Sequence, residues 1–398
     1  MMMNPLYLDY CASTPLHPRV FQTMLDSARH CYANPSSVHD MGFKARLRVE
    51  ESREKIARLL QVQPAEIIFT SGATESNNLA ILGVIRAWMK KTGRTPHLIM
   101  SEIEHSSVYQ CGKQLVEQGA EVSFLPVNRN GTVDPTSVKD ALQANTVLVS
   151  VMHVNNETGA VQPIGEIAEV LRSMPDVLFH VDGVQGFGKI PVELEPIDLY
   201  TLSGHKIGGP KGIGLLVAKE YIELEPLMYG GEQEQGVRPG TTNVPAVLGL
   251  TEAIATALEE REEKAAYLTL LHKSAYSGLA AIPELVINSP EPPDSSPHII
   301  NFSYPKKGVT SAMMISMLGK RGIMVSSQSA CSSKAKQSRV LMAMTQDEAI
   351  SSSSIRLSFH EDVKLADVEY LVASIEQTVG ELKVKNKFDL LKKQLAHK

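Results

Sequence analysis

Cysteine is scarce in this chain. Four residues, Cys11, Cys31, Cys111 and Cys331, are spread over 398 positions. None is paired at CxxC spacing, so neither a disulfide framework nor a close-set structural zinc site is expected. Large apolar runs are also missing, and no stretch reaches the roughly 20 residues that a membrane helix needs. The N-terminus, MMMNPLYLDYCASTP, has no basic region followed by an apolar one, so no signal peptide is expected. Excess positive charge is absent. Lys and Arg number 39 against 44 Asp and Glu, a formal charge of −5 that gives no footprint for nucleic acid or an anionic membrane. These absences point to a cytoplasmic protein. The chain is not poor in core material, since 43% of its residues are hydrophobic. That content excludes a disordered chain and, at this length, predicts two or three domains.

From about residue 57 to 218, short apolar runs alternate with helical stretches. The runs cover 67–69, 97–100, 122–126, 147–152, 177–181, 199–202 and 213–217. They are β-branched or Leu-rich and lack polar alternation, which is how strands buried on both faces read. Helices are predicted over 75–91, 106–118 and 164–174. The pattern predicts an α/β unit around a mostly parallel sheet, with its last strands hairpin-like. Residues 246–279, with EEREEK at their centre, read as one long surface helix. New strands (298–303, 323–326, 354–358) and helices (310–320, 365–384) then predict a smaller α+β unit, and the Lys-dotted tail reads as a frayed amphipathic end. The expected division is a large domain over 15–262 and a small one built from 1–14 and 263–398.

Ligands of open α/β sheets bind outside the carboxyl ends of the strands. Five runs here end in polar or titratable residues: SGATESNN, SEIEHSS, HVNNETG, DGVQ and SGHKIGG. The Gly turn and helix start around Thr74 are a candidate phosphate cup, although Ser71 or Thr74 as an ordinary N-cap explains them equally well. Asp182 closes an apolar run and is placed to pair with a protonated ring nitrogen, the plainer role being an N-cap. Lys206, in a Gly-lined corner, has the setting of a Schiff-base amine, against the plainer reading of a snorkelling surface lysine. His105 has the chemistry to stack on a flat ring or shuttle protons, although a lone His is more often structural. Taken together, these groups fit pyridoxal 5'-phosphate, which needs a lysine, an acidic partner and a phosphate cup. Cys331 lies among Ser, Gln and Lys in SSQSACSSKAK, a setting for a reactive thiolate against the plainer reading of a small buried hydrophobe, whereas the other three cysteines read as bystanders.

Ten stretches in order resemble the NifS-like cysteine desulfurases, a class V aminotransferase group of fold-type I pyridoxal-phosphate enzymes. They are YLDYCASTP, ANPSSVH, IIFTSGATESNNLAI, SEIEHSSV, SVMHVNNETGAVQPI, HVDGVQGFGKIPV, SGHKIGGPKGIG, RPGTTNVP, SSQSACSS and SSIRLSF. The resemblance implies that Lys206 is the Schiff-base lysine, that His105 stacks on the ring, that Asp182 pairs with the ring nitrogen and that Gln185 bonds the ring hydroxyl. Ala73, Thr74, Ser203 and His205 would hold the phosphate, and Thr241 would reach that of the other subunit of a homodimer. Asn156 and Arg356 would bind the substrate carboxylate, with Asn34 nearby. L-Cysteine would yield L-alanine and a persulfide on Cys331. That sulfur would pass to an acceptor protein, either a tRNA-thiolation enzyme or an iron–sulfur scaffold, with no direct contact to nucleic acid or membrane. No resident metal is expected, with Cys331 at most a transient iron–sulfur ligand. Gln328 stands where the group usually has Gly. The rival readings are a selenocysteine lyase, another class V aminotransferase, and a non-catalytic partner protein with a vestigial site.

Overall fold

A computed structural model describes residues 5–328 and 337–396, with 385–396 as backbone. The chain opens with β1 (Leu6–Tyr7). Seven strands then build the central sheet: β2 (Ile67–Thr70), β3 (His97–Ser101), β4 (Glu121–Leu125), β5 (Thr146–Ser150), β6 (Leu178–Asp182), β7 (Leu199–Ser203) and β8 (Gly214–Ala218). Their order is β2-β8-β7-β6-β5-β3-β4. β8 runs antiparallel to both β2 and β7, and the remaining neighbours are parallel. Six carboxyl ends therefore share one edge of the sheet, and β8 is the hairpin-like exception that the sequence pattern predicts.

β2, β3, β5, β7 and β8 are buried along their whole length, which matches their unbroken apolar character. One face of the sheet packs on the helices Asp40–Leu60, Ile164–Leu171 and Val244–Glu259, and the other on Val84–Thr92 and Ser106–Glu117. Full burial of each large aliphatic side chain contributes roughly 1.5–3 kcal/mol, and Ile56, Ile81, Leu98 and Leu215 are all at or below 1% exposure.

A separate apolar cluster draws on both ends of the chain, joining Leu8 and Tyr10 to residues between Leu268 and Leu382. It includes the antiparallel sheet of β9 (Val286–Ile287), β10 (Ile299–Ser303) and β12 (Ser354–Ser358), while β11 (Ile323–Met324) pairs with β1.

Three expected helices take a different form. The helix predicted over 75–91 is interrupted by a π-helical turn, Leu79–Gly83, between Ala73–Asn78 and Val84–Thr92. The single surface helix predicted over 246–279 is two helices, Val244–Glu259 and Arg261–Ala280, parted at Glu260 (φ −94°, ψ 0°). The first of these is not a surface helix, because Val247, Leu250 and Ile254 seat it against the sheet. The helix that begins at Leu365 extends through the Lys-dotted tail to Ala396. Among the described residues no helix is long and apolar enough to cross a membrane.

Candidate active site

The carboxyl ends of the strands open into a cavity of about 430 Å³, lined by Ala73, Thr74, His105, Asn156, Asp182, Gln185, Ser203, His205, Lys206 and Arg356. That volume falls within the roughly 300–1,000 Å³ of small-molecule and cofactor sites. The structure thus brings together ten of the thirteen residues singled out from the sequence. Thr241 is exposed and does not line the cavity of its own chain, and the same holds for Asn34, whose Oδ1 accepts from Ser36 N (2.9 Å). Cys331 lies outside the described residues.

Asp182 is the last residue of β6 and is buried. Its Oδ1 accepts from Val184 N (3.1 Å), so the turn-capping role is real, and its Oδ2 accepts from Asn77 Nδ2 (2.8 Å). Asn77 also donates to Ser107 Oγ (2.8 Å), which ties three elements around one carboxylate. Gly183 follows because the Tyr200 ring occupies the place of a Cβ, with Cζ 1.9 Å from where that atom would sit.

Lys206 follows β7 in the short turn Gly204–Lys206. Its Nζ donates to the carbonyl oxygens of Cys11 and Ala12, the latter at 3.0 Å. Burial lowers its pKa below that of an ordinary lysine, and the Arg356 charge adds to the effect. An amine held this way is a nucleophile aimed into the cavity and not a snorkelling surface group. Cys11, read as a bystander, lines the cavity after all. Its backbone carbonyl takes Lys206 and also Gln185 Nε2 (3.2 Å), while burial raises its thiol pKa and keeps it protonated.

His105 caps the helix Ser106–Glu117. Its Nδ1 accepts from Ser107 N (3.2 Å), and burial lowers its pKa, so the ring is neutral with its proton on Nε2. His205 is held at about 4, by burial first and then by Lys206 and Lys211. Lys211, from the same glycine-rich stretch, also lines the cavity.

The turn before Ala73 has Gly72 at its N-cap with no side-chain capping bond, so neither Ser71 nor Thr74 plays the capping role. Gly214 lets β8 pass beside this turn, since a Cβ there would lie 2.6 Å from Gly72 Cα. Glu75 Oε2 accepts from Ser71 N (2.6 Å) and Glu75 Oε1 from Arg238 Nε (2.8 Å), which lowers its pKa despite the cost of burial.

Arg356, on β12, is 2% exposed. Its Nη2 meets Asp9 Oδ1 (2.7 Å) and Ser326 Oγ (2.8 Å), and its Nη1 donates to Asn156 O (2.9 Å). Among the described residues its buried Nε has no hydrogen-bond partner. Asp9, Asn77 and Ser326 escaped the sequence reading, although all three lie inside quoted motifs. Their partners are 347, 105 and 30 positions away, a separation that no local pattern reveals.

The donor set fits pyridoxal phosphate. It offers a depressed-pKa amine, a buried carboxylate steadied by an amide, an open glycine turn, and a buried arginine whose Nε–H is unpaired among the described residues. The aminotransferase class-V family model matches residues 6–371. A cysteine desulfurase IscS of Dictyoglomus turgidum is 38% identical over 386 residues, covering 96% of each chain. A solved NifS-like protein superposes with a TM-score of 0.87 at 34% identity, covering 94% of this chain and 99% of that one. A solved SspA in complex with cysteine has a TM-score of 0.77 at 33% identity, covering 89% and 98%. The chain belongs to the class V aminotransferase family, in its group of pyridoxal-phosphate-dependent cysteine desulfurases.

Proposed function

We propose that this chain takes sulfur from L-cysteine, releases L-alanine and passes the sulfur on from a persulfide at Cys331. The observation that carries this reading is the convergence of Lys206, Asp182 and Arg356 on one cavity. Bound there, pyridoxal phosphate supplies an electron sink for charge at the substrate Cα. Lys206 would hold its aldehyde carbon, Asp182 its ring nitrogen, His105 its ring face, Gln185 its ring oxygen, and the Ala73–Thr74 turn with Ser203 and His205 its phosphate.

The roles of the chain's own groups follow from their settings. Arg356, with Asn156 beside it, pairs with the substrate carboxylate through a charge-assisted contact. Burial lowers the pKa of Lys206 and so enlarges the share of uncharged amine, able to take the Cα proton at Nζ. The Cys331 thiolate attacks the substrate sulfur. One C–S bond breaks, one S–S bond forms, and the proton budget closes on the methyl carbon of alanine, so no external oxidant or reductant is needed.

The proposal extends to a cytoplasmic homodimer in which the exposed Thr241 reaches the partner's phosphate site. It also includes an acceptor protein for the sulfur, serving iron–sulfur cluster or thiolated tRNA assembly, and a division into a large domain (15–262) and a small one (1–14 and 263–398). The test of the core reading is Lys206→Ala. It should abolish alanine formation from L-cysteine and the visible absorbance of the purified protein. Retained turnover would overturn the assignment, as would a parent protein that forms alanine from selenocysteine but not from cysteine.

A further inference from the structure

Behind the cavity, a second buried hydrogen-bond line leads to Gln185. His298 is 1% exposed and Ser296 fully buried. Ser296 Oγ lies 2.6 Å from His298 Nδ1, and His298 Nε2 lies 3.3 Å from Gln185 Oε1. Gln185 Nε2 in turn donates to the Cys11 carbonyl (3.2 Å), the same oxygen that receives the Lys206 amine.

The protons on this line are fixed by elimination. Only the Gln185 NH2 group can face the Cys11 carbonyl, so Oε1 faces His298. An acceptor there requires an N–H on His298 Nε2. Complete burial, with the Lys189 charge next, pushes the His298 pKa well below its ordinary value, so the ring carries one proton. Nδ1 must then accept from the Ser296 hydroxyl. The amide of Gln185 has no freedom to flip, because its carbonyl is engaged from behind.

We propose that His298, oriented by Ser296, is a positioning residue that locks the Gln185 amide with its N–H groups toward the cavity and so toward the ring oxygen of the cofactor. This rests on the reading in which Lys206, Asp182 and Gln185 hold pyridoxal phosphate. Without the Nε2 donor, the amide can turn its carbonyl to the ring and withdraw the N–H that would hold the ring oxygen.

The test is an equilibrium titration of the full-length apoprotein with pyridoxal phosphate, followed by visible absorbance, for the parent, His298→Leu, His298→Gln and Ser296→Ala. His298→Leu should weaken affinity by roughly fivefold to tenfold, the worth of one buried hydrogen bond, and move the visible band. His298→Gln, which keeps an N–H donor, should restore both, and Ser296→Ala should fall between. Parent-like affinity and band in His298→Leu would overturn the proposal, even with a lowered melting temperature. If His298→Leu does not fold, Ser296→Ala decides: a weakened, shifted spectrum supports the role and an unchanged one overturns it. A parent that develops no bound absorbance overturns the underlying cofactor reading instead.

Discussion

Arg356 is aimed by Asp9, whose Oδ1 stands 2.7 Å from its Nη2 across 347 residues of chain. The same Asp9 oxygen accepts from Ser326 Oγ (2.8 Å), so Asp9 also holds the second side chain that meets the guanidinium. Asp9→Ala should therefore raise KM for L-cysteine by roughly tenfold to a hundredfold with little change in kcat, as expected for loss of a hydrogen bond to a charged group. Asp9→Asn, which keeps an acceptor oxygen, should raise it less. Steady-state alanine formation checks both, and an unchanged KM in Asp9→Ala would contradict the role.

Asn77 is predicted to matter through Asp182. Removing its amide leaves Asp182 Oδ2 and Ser107 Oγ without their shared donor. Asn77→Ala should cost about 1–3 kcal/mol of stability and weaken pyridoxal-phosphate binding severalfold. Chemical denaturation and an absorbance titration read the two effects separately. Loss of stability alone would make Asn77 a packing residue.

Buried imidazoles set the acid limit of the fold. Burial lowers His153 and His272 to about 4 and His180 to about 3, against an ordinary value of 6.5. Below pH 6.5 the unfolded chain takes up protons that the folded chain refuses. Stability is thus full above pH 6.5 and falls as the pH drops toward 4, by roughly 1.4 kcal/mol per pH unit for each imidazole. Glu104 and Glu157, pushed up by burial, oppose this by favouring the folded state on acidification. His180→Gln should lose less stability than the parent between pH 7 and 5, read from urea midpoints. An equal loss would contradict the assignment.

The sheet was legible because unbroken β-branched and Leu runs have one reading between helical stretches, and the strand bounds in the structure lie within a residue or two of those runs. The cofactor groups were legible because each follows a strand end and so must face the same edge. Three features were not. The break at Glu260 has no Gly or Pro to announce it, and the burial of Val244–Glu259 depends on a sheet contact that composition does not encode. The carbonyl of Cys11 acts through the backbone, so its residue type carries no signal. The pairs Asp9–Arg356, Asn77–Asp182 and His298–Gln185 join distant segments, and only the folded chain sets them side by side.

The proposed acceptor of the sulfur of L-cysteine is Cys331, at a site run by Lys206. The most direct test is mass spectrometry of the intact protein after brief incubation with L-cysteine, with alanine measured in parallel, for the parent and Cys331→Ser. The parent should gain one sulfur atom, located to Cys331 and removable by a thiol reductant. No added sulfur and no sustained alanine formation are expected in Cys331→Ser, which should keep the parent's visible absorbance. Full cysteine turnover by Cys331→Ser would contradict Cys331 as the acceptor.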